Sequence, residues 1–185
     1  MFVALELPEI VREMIDEWGE EALTDPGLRR VAPESLHVTL AFLGDRPLGD
    51  VERIEDAMEA IAEFPILLEL EGPVGRPPRG RPKVVALPVN SNPVMARQAE
   101  LAELLIHEGV WERPQNPFWP HVTVARVRME GSGRSRRPVA AQIPSGPPPT
   151  ASWGWFGAVR IGLYRSELQP EGARYVPLAQ VELPG

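Results

Sequence analysis

A five-residue pattern occurs twice in this chain, first as His37-Val-Thr-Leu-Ala41 and again as His121-Val-Thr-Val-Ala125. Side chains alternate between the two faces of a β-strand, so a His-x-Thr places an imidazole and a hydroxyl on one face and apolar residues on the other. The sequence holds 3 histidines, and two of them carry the pattern. The repeat therefore predicts two related strands, each with a polar half-site on one face and hydrophobic core on the other.

The length and composition fit one compact domain. The 185 residues are 43% hydrophobic, enough for one core or for two small lobes that share one, and we expect a single domain over residues 1–185. The sequence has no cysteine, which excludes disulfides, thiolate metal sites and a cysteine nucleophile. No apolar run reaches the about 18 residues of a membrane span, and no basic segment precedes the apolar run at 2–7. We therefore expect a cytoplasmic monomer without a membrane partner.

Hydrophobic periodicity predicts strands and helices that alternate imperfectly. Strands are expected at 2–7, 36–43, 66–70, 83–89, from 120 through the second motif, at 155–164 and at 175–183, and amphipathic helices from 8 onward, at 47–63 and from 92 up to Gly109. The glycines and prolines of 129–150 predict a mobile surface loop. The pattern favours an α+β fold with two related lobes over a parallel doubly wound sheet.

Two histidines brought together can divide acid-base work, because imidazole titrates near neutral pH. One accepts a proton while the other donates one, and this division suits phosphodiester cleavage without a metal. A threonine hydroxyl beside each imidazole can donate to a phosphate oxygen whose charge grows in the transition state. His37 and His121 are therefore the candidate catalytic residues, with Thr39 and Thr123 as candidate phosphate ligands.

Two further residues near these motifs are weighed differently. Arg126 follows His121 by five positions, which puts it on the opposite face of an ideal strand, so a bulge would have to bring it to a bound phosphate. It is included as a phosphate-binding candidate on that condition. His107 lies late in the third predicted helix without a threonine partner, which is typical of a helix C-terminus or a surface position.

The net charge of −7 argues against a protein that coats nucleic acid by bulk electrostatics. A local basic cluster can still contact a backbone that the whole molecule would repel. Arginines are dense in the segment 126–137 and in the Pro/Gly-rich segment 72–82: Arg126, Arg128, Arg134, Arg136 and Arg137 in the first, and Arg76, Arg79 and Arg81 in the second. Both an RNA contact and a merely solvated loop are open for the segment 126–137.

Other chemistries lack their residues, and we expect neither a metal nor a cofactor. Two distant histidines with threonines do not supply the clustered ligands of a zinc site. A lysyl-nucleotide ligase needs an activated lysine, whereas Lys83 stands at a strand entrance with no neighbouring carboxylate. A Gly-x-x-x-x-Gly-Lys phosphate loop is absent as well.

The two motifs with their flanks, Leu36 to Gly44 and Phe118 to Arg126, resemble those of the two-histidine phosphoesterases. Within that group the chain is most similar to the bacterial and archaeal RNA 2′,3′-cyclic phosphodiesterases, also called the 2′-5′ RNA ligase family. The opening Phe2 to Pro8 and the closing Tyr164 to Tyr175 resemble that family too. The resemblance thus spans nearly the whole chain.

The resemblance implies a bilobal fold in which antiparallel sheets flank a central cleft and helices lie outside. It implies metal-independent hydrolysis of an RNA terminal 2′,3′-cyclic phosphate to a 2′-phosphate, with a weak ATP-independent 2′-5′ joining reaction in some members. By carry-over His37 donates the proton to the leaving 3′ oxygen, His121 activates water, and Thr39 and Thr123 bind phosphate. Where relatives often carry an aromatic residue in the middle strand this chain has Ala86, which weakens the expectation of base stacking there.

Two alternatives stay open at this point. One is a nucleotide- or RNA-binding module that kept the cleft without useful turnover, although both intact motifs favour an enzyme. The other is an esterase of small cyclic nucleotides, which present the same phosphate as an RNA end. The expected partners are therefore RNA ends or small nucleotides bearing a 2′,3′-cyclic phosphate.

Overall fold

The structure, a computed structural model, describes residues 1–146, 154–169 and 172–185. Its strands are β1 (Phe2–Glu6), β2 (Leu28–Arg30), β3 (His37–Phe42), β4 (Leu67–Leu68), β5 (Val74–Arg76), β6 (Val84–Pro88), β7 (His121–Val127), β8 (Met129–Glu130), β9 (Arg137–Pro138), β10 (Phe156–Gly157), β11 (Arg160–Gln169) and β12 (Gly172–Glu182). Its α-helices are α1 (Glu9–Ala22), α2 (Val51–Ala60) and α3 (Asn92–His107). The predicted α+β class is confirmed.

One antiparallel sheet organises the molecule. Its strands follow the order β12-β11-β1-β3-β7-β6-β5, and β2 pairs with β7 beside β3. The two motif strands, β3 and β7, meet at the middle of this order, where Val38 pairs with Val122. The sheet therefore consists of two halves, one built around each motif, that join at the motifs themselves.

The helices cover the face of the sheet that carries Val38 and Val122. Both valines are fully buried and belong to one hydrophobic core. The apolar faces of the helices complete that core with Val11 and Ile15 from α1, Ile54 and Met58 from α2, and Val94, Leu101 and Leu105 from α3. Burial of this stripe is the main stabilising term for such helices. None of the helices in the described ranges is long and apolar enough to cross a membrane.

The two motif strands share an irregularity at the same place. In β3 the register against β1 shifts so that Ala4 pairs with Thr39 and Val3 with Ala41, which leaves Leu40 as the extra residue. In β7 the register against β6 shifts in the same way, and Val124 is the extra residue. Each motif strand therefore has a bulge immediately after its threonine, so the two repeats share a backbone irregularity as well as a sequence pattern.

The structure departs from the predicted elements in several places, among them the strand predicted at 155–164, which is divided between β10 and β11. The second predicted helix begins late, because Leu48–Asp50 forms a 3-10 turn, and Leu48 is 62% exposed rather than buried. Within the predicted loop 129–150, β8 and β9 form a hairpin in which Glu130 pairs with Arg137 at 3.1 Å (Oε1 to Nε). Residues 147–150 of that loop lie outside the described part. Strands β2 and β5 are too short and polar to have been predicted.

Candidate active site

The register at the join brings the four motif residues together. Because Val38 and Val122 face each other on the core side, their neighbours fall on the opposite side of the sheet. His37 then lies across from Thr123, and Thr39 across from His121. All four are half-buried, so the two imidazoles and two hydroxyls share one partly open surface.

Both imidazoles are oriented by main-chain carbonyls. The Nδ1 atom of His37 lies 2.7 Å from the carbonyl oxygen of Ser35, and Nδ1 of His121 lies 2.8 Å from that of Trp119. A carbonyl only accepts, so Nδ1 must donate its proton in each ring. Nε2 is therefore the atom that gains or loses a proton, and it is the reactive atom in both half-sites.

The two half-sites differ in how threonine meets histidine. Nε2 of His37 lies 3.1 Å from Oγ1 of Thr39. The hydroxyl donates to neutral imidazole and accepts from the imidazolium, because a hydroxyl does both. No matching bond joins Thr123 to His121 among the contacts of the described residues, and the Thr123 hydroxyl is free to turn toward a ligand.

Aromatic rings enclose His37 on the side of β1. The ring of Phe2 stacks on the imidazole with centroids 5.1 Å apart, and Tyr175 meets it edge-on at 5.3 Å. Tyr164 stacks on Phe2 in turn, at 5.4 Å. The Tyr164 ring lies over Gly162, where a Cβ would collide with it. These rings exclude water from one face of His37.

A carboxylate stands next to His37. Glu6 is its cross-strand partner in β1. The hydroxyl of Tyr164 donates to Oε1 of Glu6, as does Nε2 of Gln180 at 2.8 Å, and Arg160 forms an ion pair with Oε2 at 3.7 Å. Burial and this bond raise the pKa of Tyr164, so the hydroxyl stays protonated as a donor. Glu6 is thereby held in place as an anion beside one of the two histidines.

His121 has a cationic neighbourhood instead. Its ring stacks on Trp119 with centroids 4.2 Å apart and planes 17° apart. The guanidinium of Arg76 lies 3.7 Å from the centroid of the Trp119 ring, a cation–π contact. The site is therefore symmetric in its backbone and asymmetric in its charges, with a carboxylate by His37 and a guanidinium by His121.

Burial lowers the pKa of both histidines below the ordinary value of 6.5. For His37 the hydrogen bond to Ser35 opposes this shift, the charges of His121 and Arg126 reinforce it, and Glu6 opposes it. For His121 the bond to Trp119 opposes the shift and the charge of Arg76 reinforces it. Both rings are therefore mainly neutral at pH 7 in the free protein, and an anion at the site would favour their charged forms.

Arg126 reaches the site because of the bulge in β7. An unbroken alternation would turn it away from His121, but the extra residue Val124 changes the alternation. Ala125 is buried and Arg126 exposed, and the charge of Arg126 acts on His37. The bulge that Arg126 would need is therefore present in β7. In β3 the equivalent residue, Phe42, is 71% exposed.

A cleft of about 650 Å³ opens beside Thr39 and His121. Its walls combine aromatic rings, of which Phe42 is exposed and the others are half-buried, with a few polar groups: Phe42, Trp111, Phe118, Trp119, Gln98 and Arg113. The indole Nε1 of Trp111 donates to the carbonyl of Phe42 at 2.8 Å. This bond connects the part of the wall formed by Trp111 to the end of β3. Flat apolar walls with few polar groups are typical of pockets for ring-shaped ligands.

The remaining candidates from the sequence lie elsewhere. His107 is exposed in the last turn of α3, as predicted. Of the arginine-rich segments, Arg137 and Arg81 both pair with Glu130, so one carboxylate offsets part of their charge. Nothing is described of the side chain of Arg134. In the described ranges there is no group of three His, Asp or Glu side chains placed to hold a metal ion.

Sequence reasoning missed the residues that surround the imidazoles. Ser35 and Trp119 each precede a motif histidine by two positions, but a carbonyl acceptor leaves no side-chain signature. Phe2 and Glu6 are four positions apart and so lie on the same face of β1, and their role depends on β1 lying beside β3, which no local pattern specifies. Arg76 was named only as one of the clustered arginines of the segment 72–82 and was not linked to His121.

The chain matches a family model and curated relatives over most of its length. The model for the 2'-5' RNA ligase superfamily matches residues 7–165. The chain is 31% identical to an RNA 2',3'-cyclic phosphodiesterase of Thermus thermophilus, over all of this chain and 90% of the relative. It is 29% identical to the protein of that name from Escherichia coli, over 96% of this chain and 93% of the relative.

Solved structures agree with these relatives. Escherichia coli LigT complexed with 3'-AMP superposes with a TM-score of 0.76 at 27% identity, over 98% of this chain and 96% of that one. A protein of Thermus thermophilus gives a TM-score of 0.77 at 28% identity, with the same coverage of both chains. The fold, the two motifs and the family model all indicate the same family, and the chain belongs to the 2'-5' RNA ligase superfamily.

Proposed function

We propose that this protein hydrolyses the 2′,3′-cyclic phosphate at the end of an RNA to a 2′-phosphate, with His121 as base and His37 as acid. Water attacks the phosphorus and gives its proton to Nε2 of His121. The bond from phosphorus to the 3′ oxygen breaks, and that oxygen takes the proton from Nε2 of His37. One water is consumed and the two histidines end with their protonation states exchanged.

The observation that carries the proposal is that the two His-x-Thr motifs share one face of the sheet. In both histidines Nδ1 bonds to a main-chain carbonyl, which leaves Nε2 as the atom that can exchange a proton with the substrate. An acid and a base on opposite sides of one phosphorus are what an in-line displacement requires. The assignment of roles is supported by Glu6, which favours a protonated His37 against the opposing charge of Arg126, and by Arg76, which favours a neutral His121.

The phosphate is held by the hydroxyls of Thr39 and Thr123 and by the guanidinium of Arg126. Two hydroxyls and a cation can donate to the non-bridging oxygens, whose charge rises as water adds. This preorganised set stabilises charge that develops only in the transition state. A metal ion is not needed for any of these steps.

The nucleoside that bears the phosphate occupies the cleft beside Thr39 and His121. Its aromatic walls, Phe42 and Trp111 among them, offer stacking surfaces to a base. Escherichia coli LigT has been crystallised with 3'-AMP and with ATP, which agrees with a nucleotide ligand. Ala86 pairs with Thr123 in the middle of the sheet, so stacking comes from the cleft walls rather than from that strand.

The test is incubation with a nucleoside 2′,3′-cyclic phosphate and with an oligonucleotide that ends in one, in the presence of EDTA, with 2′ and 3′ products resolved. We expect a 2′-phosphate from both. Binding without turnover would favour the binding module, turnover of the mononucleotide alone would favour the small-nucleotide esterase, and activity only with added metal would contradict the mechanism.

The 2′-5′ joining reaction uses the same groups. A ribose 5′-hydroxyl takes the place of water, the phosphorus stays on the 2′ oxygen, and His37 again protonates the 3′ oxygen. Addition of an RNA with a free 5′-hydroxyl to the same assay measures this partition. That the protein is a cytoplasmic monomer stays a prediction from the sequence.

A further inference from the structure

Two arginines face each other across the strands next to the active site. Arg29 of β2 is the direct partner of Arg126 of β7. Partners in an antiparallel pair project to the same face, so Arg29 shares the face of Arg126 and of the motif residues. Both are exposed. Like charges placed directly opposite each other destabilise a strand pair unless an anion lies between them.

No acidic side chain offsets this pair within the described ranges. Neither Arg29 nor Arg126 comes within 4 Å of a carboxylate there, whereas the adjacent Arg30 pairs with Asp16 at 3.1 Å and with Glu20 at 3.3 Å. Arg30 lies on the side of the sheet that α1 covers, and both carboxylates that pair with it belong to α1. The pair is therefore a local concentration of positive charge on a chain whose net charge is −7.

The arginine pair lies on the side of the reacting centre opposite the cleft. Along β7 the site face carries His121, then Thr123, then Arg126. The cleft is lined by Thr39 and His121 at one end of this series, and Arg29 lies beside Arg126 at the other end. The step from Thr123 to Arg126 is roughly 7–10 Å along the strand, a distance that one nucleotide unit of a flexible RNA can span.

We infer that Arg29 binds the phosphate on the 5′ side of the terminal nucleoside, one unit away from the cyclic phosphate. The inference rests on the proposed function. With the terminal base in the cleft and the cyclic phosphate between the histidines, Arg126 serves the reacting phosphate and Arg29 the next one. The preferred substrate is then an RNA end or a 5′-phosphorylated nucleotide, rather than a nucleoside cyclic phosphate with a free 5′-hydroxyl.

Three substrates separate the sources of that phosphate: a nucleoside 2′,3′-cyclic phosphate with a free 5′-hydroxyl, the same compound with a 5′-phosphate, and a dinucleotide ending in the cyclic phosphate. For Arg29→Gln we expect KM to rise about tenfold for the second and third substrates, the usual worth of one charged hydrogen bond. For the first substrate, which lacks the phosphate, KM should stay within about twofold, and kcat should change little for all three. An effect on the 5′-phosphorylated compound alone would assign Arg29 to a terminal phosphate rather than to an RNA backbone.

Arg30→Gln is the matched control, because it removes the same charge from the adjacent position on the opposite face. It should leave all three KM values unchanged. The slope of log KM against log salt for the dinucleotide should become shallower by about 0.7 in Arg29→Gln, as expected for one lost phosphate contact on a single strand. Equal changes in both variants, or an equal change on all three substrates, would overturn the inference. Failure of the wild type to turn over any substrate would instead overturn the proposed function.

Discussion

Glu6 lies directly across from His37 in the neighbouring strand, and the carboxylate favours the charged form of that imidazole. Its oxygens are occupied by Tyr164, Gln180 and Arg160, so it acts on His37 through its charge and not through a hydrogen bond. On His121 the charge of Arg76 acts instead, and it favours the neutral imidazole. Glu6 is thus the negative charge that sets the half-site of His37 apart, although the charge of Arg126 opposes its effect on His37.

Glu6→Gln should shift the pH dependence of kcat/KM. Loss of the carboxylate lowers the pKa of His37, so the acid loses its proton earlier as the pH rises, and the alkaline limb moves to lower pH. Measurement of kcat/KM over about pH 4.5 to 8.5 brackets histidine's usual range. Glu182→Gln is the control, because Glu182 pairs with Arg160 at 3.2 Å without lying beside His37. An unchanged alkaline limb in Glu6→Gln would remove Glu6 from this role.

His37→Ala and His121→Ala should each lower kcat/KM by about 10² to 10⁴, the usual worth of a positioned acid or base. His107→Ala should have no effect, since His107 is exposed at the end of α3, and it serves as the matched control. The assay is hydrolysis of a nucleoside 2′,3′-cyclic phosphate in EDTA. Normal turnover in either motif variant would exclude that histidine from the chemistry.

The pH profile of the wild type should be a bell that lies on the acid side of pH 6.5 for kcat/KM. Catalysis needs one imidazole charged and the other neutral, and burial lowers the pKa of both in the free protein. As the pH rises through these lowered values the charged form disappears and the rate falls. Bound phosphate favours the imidazolium, so the kcat profile should lie at higher pH than that of kcat/KM. Coincident profiles, or a flat one, would contradict this account.

Thr39→Val and Thr123→Val should both reduce kcat, by about 10 to 10³ as for other donors to a developing negative charge. They should differ in pH dependence, because the Thr39 hydroxyl also contacts Nε2 of His37 at 3.1 Å. Only Thr39→Val should therefore move a limb of the profile. Thr24→Val is the control at an exposed position after α1. Identical profiles for the two motif variants would show that the observed contact does not influence the titration of His37.

The four motif residues could be predicted because their information is local. A period of two fixes which side chains share a face of a strand, and the repeat of His-x-Thr identified both strands. That the two strands are neighbours is a property of the whole sheet, and the family resemblance supplied it where the pattern could not. The predicted helices were correct in place, but the second begins at Val51 rather than at 47, and Leu48 before it is exposed.

The rest of the site depends on long-range pairing and on backbone irregularity. Arg126 is brought to His37 by one extra residue in β7, and bulges carry no reliable signature in a single sequence. Glu6 gains its role from a neighbour 31 positions away in the chain, His37, through strand pairing. Arg29 belongs to a strand of 3 residues, too short for any periodicity to reveal.

The main-chain anchoring of the two imidazoles has an evolutionary consequence. Many catalytic histidines depend on an acidic side chain to select their tautomer, and a single mutation can remove that side chain. Here every amino acid at positions 35 and 119 provides the required carbonyl, and the chain already uses residues as unlike as Ser35 and Trp119 there. Sequence drift at these positions leaves the proton on Nδ1, so lineages can vary the walls of the site while the reactive nitrogen stays the same.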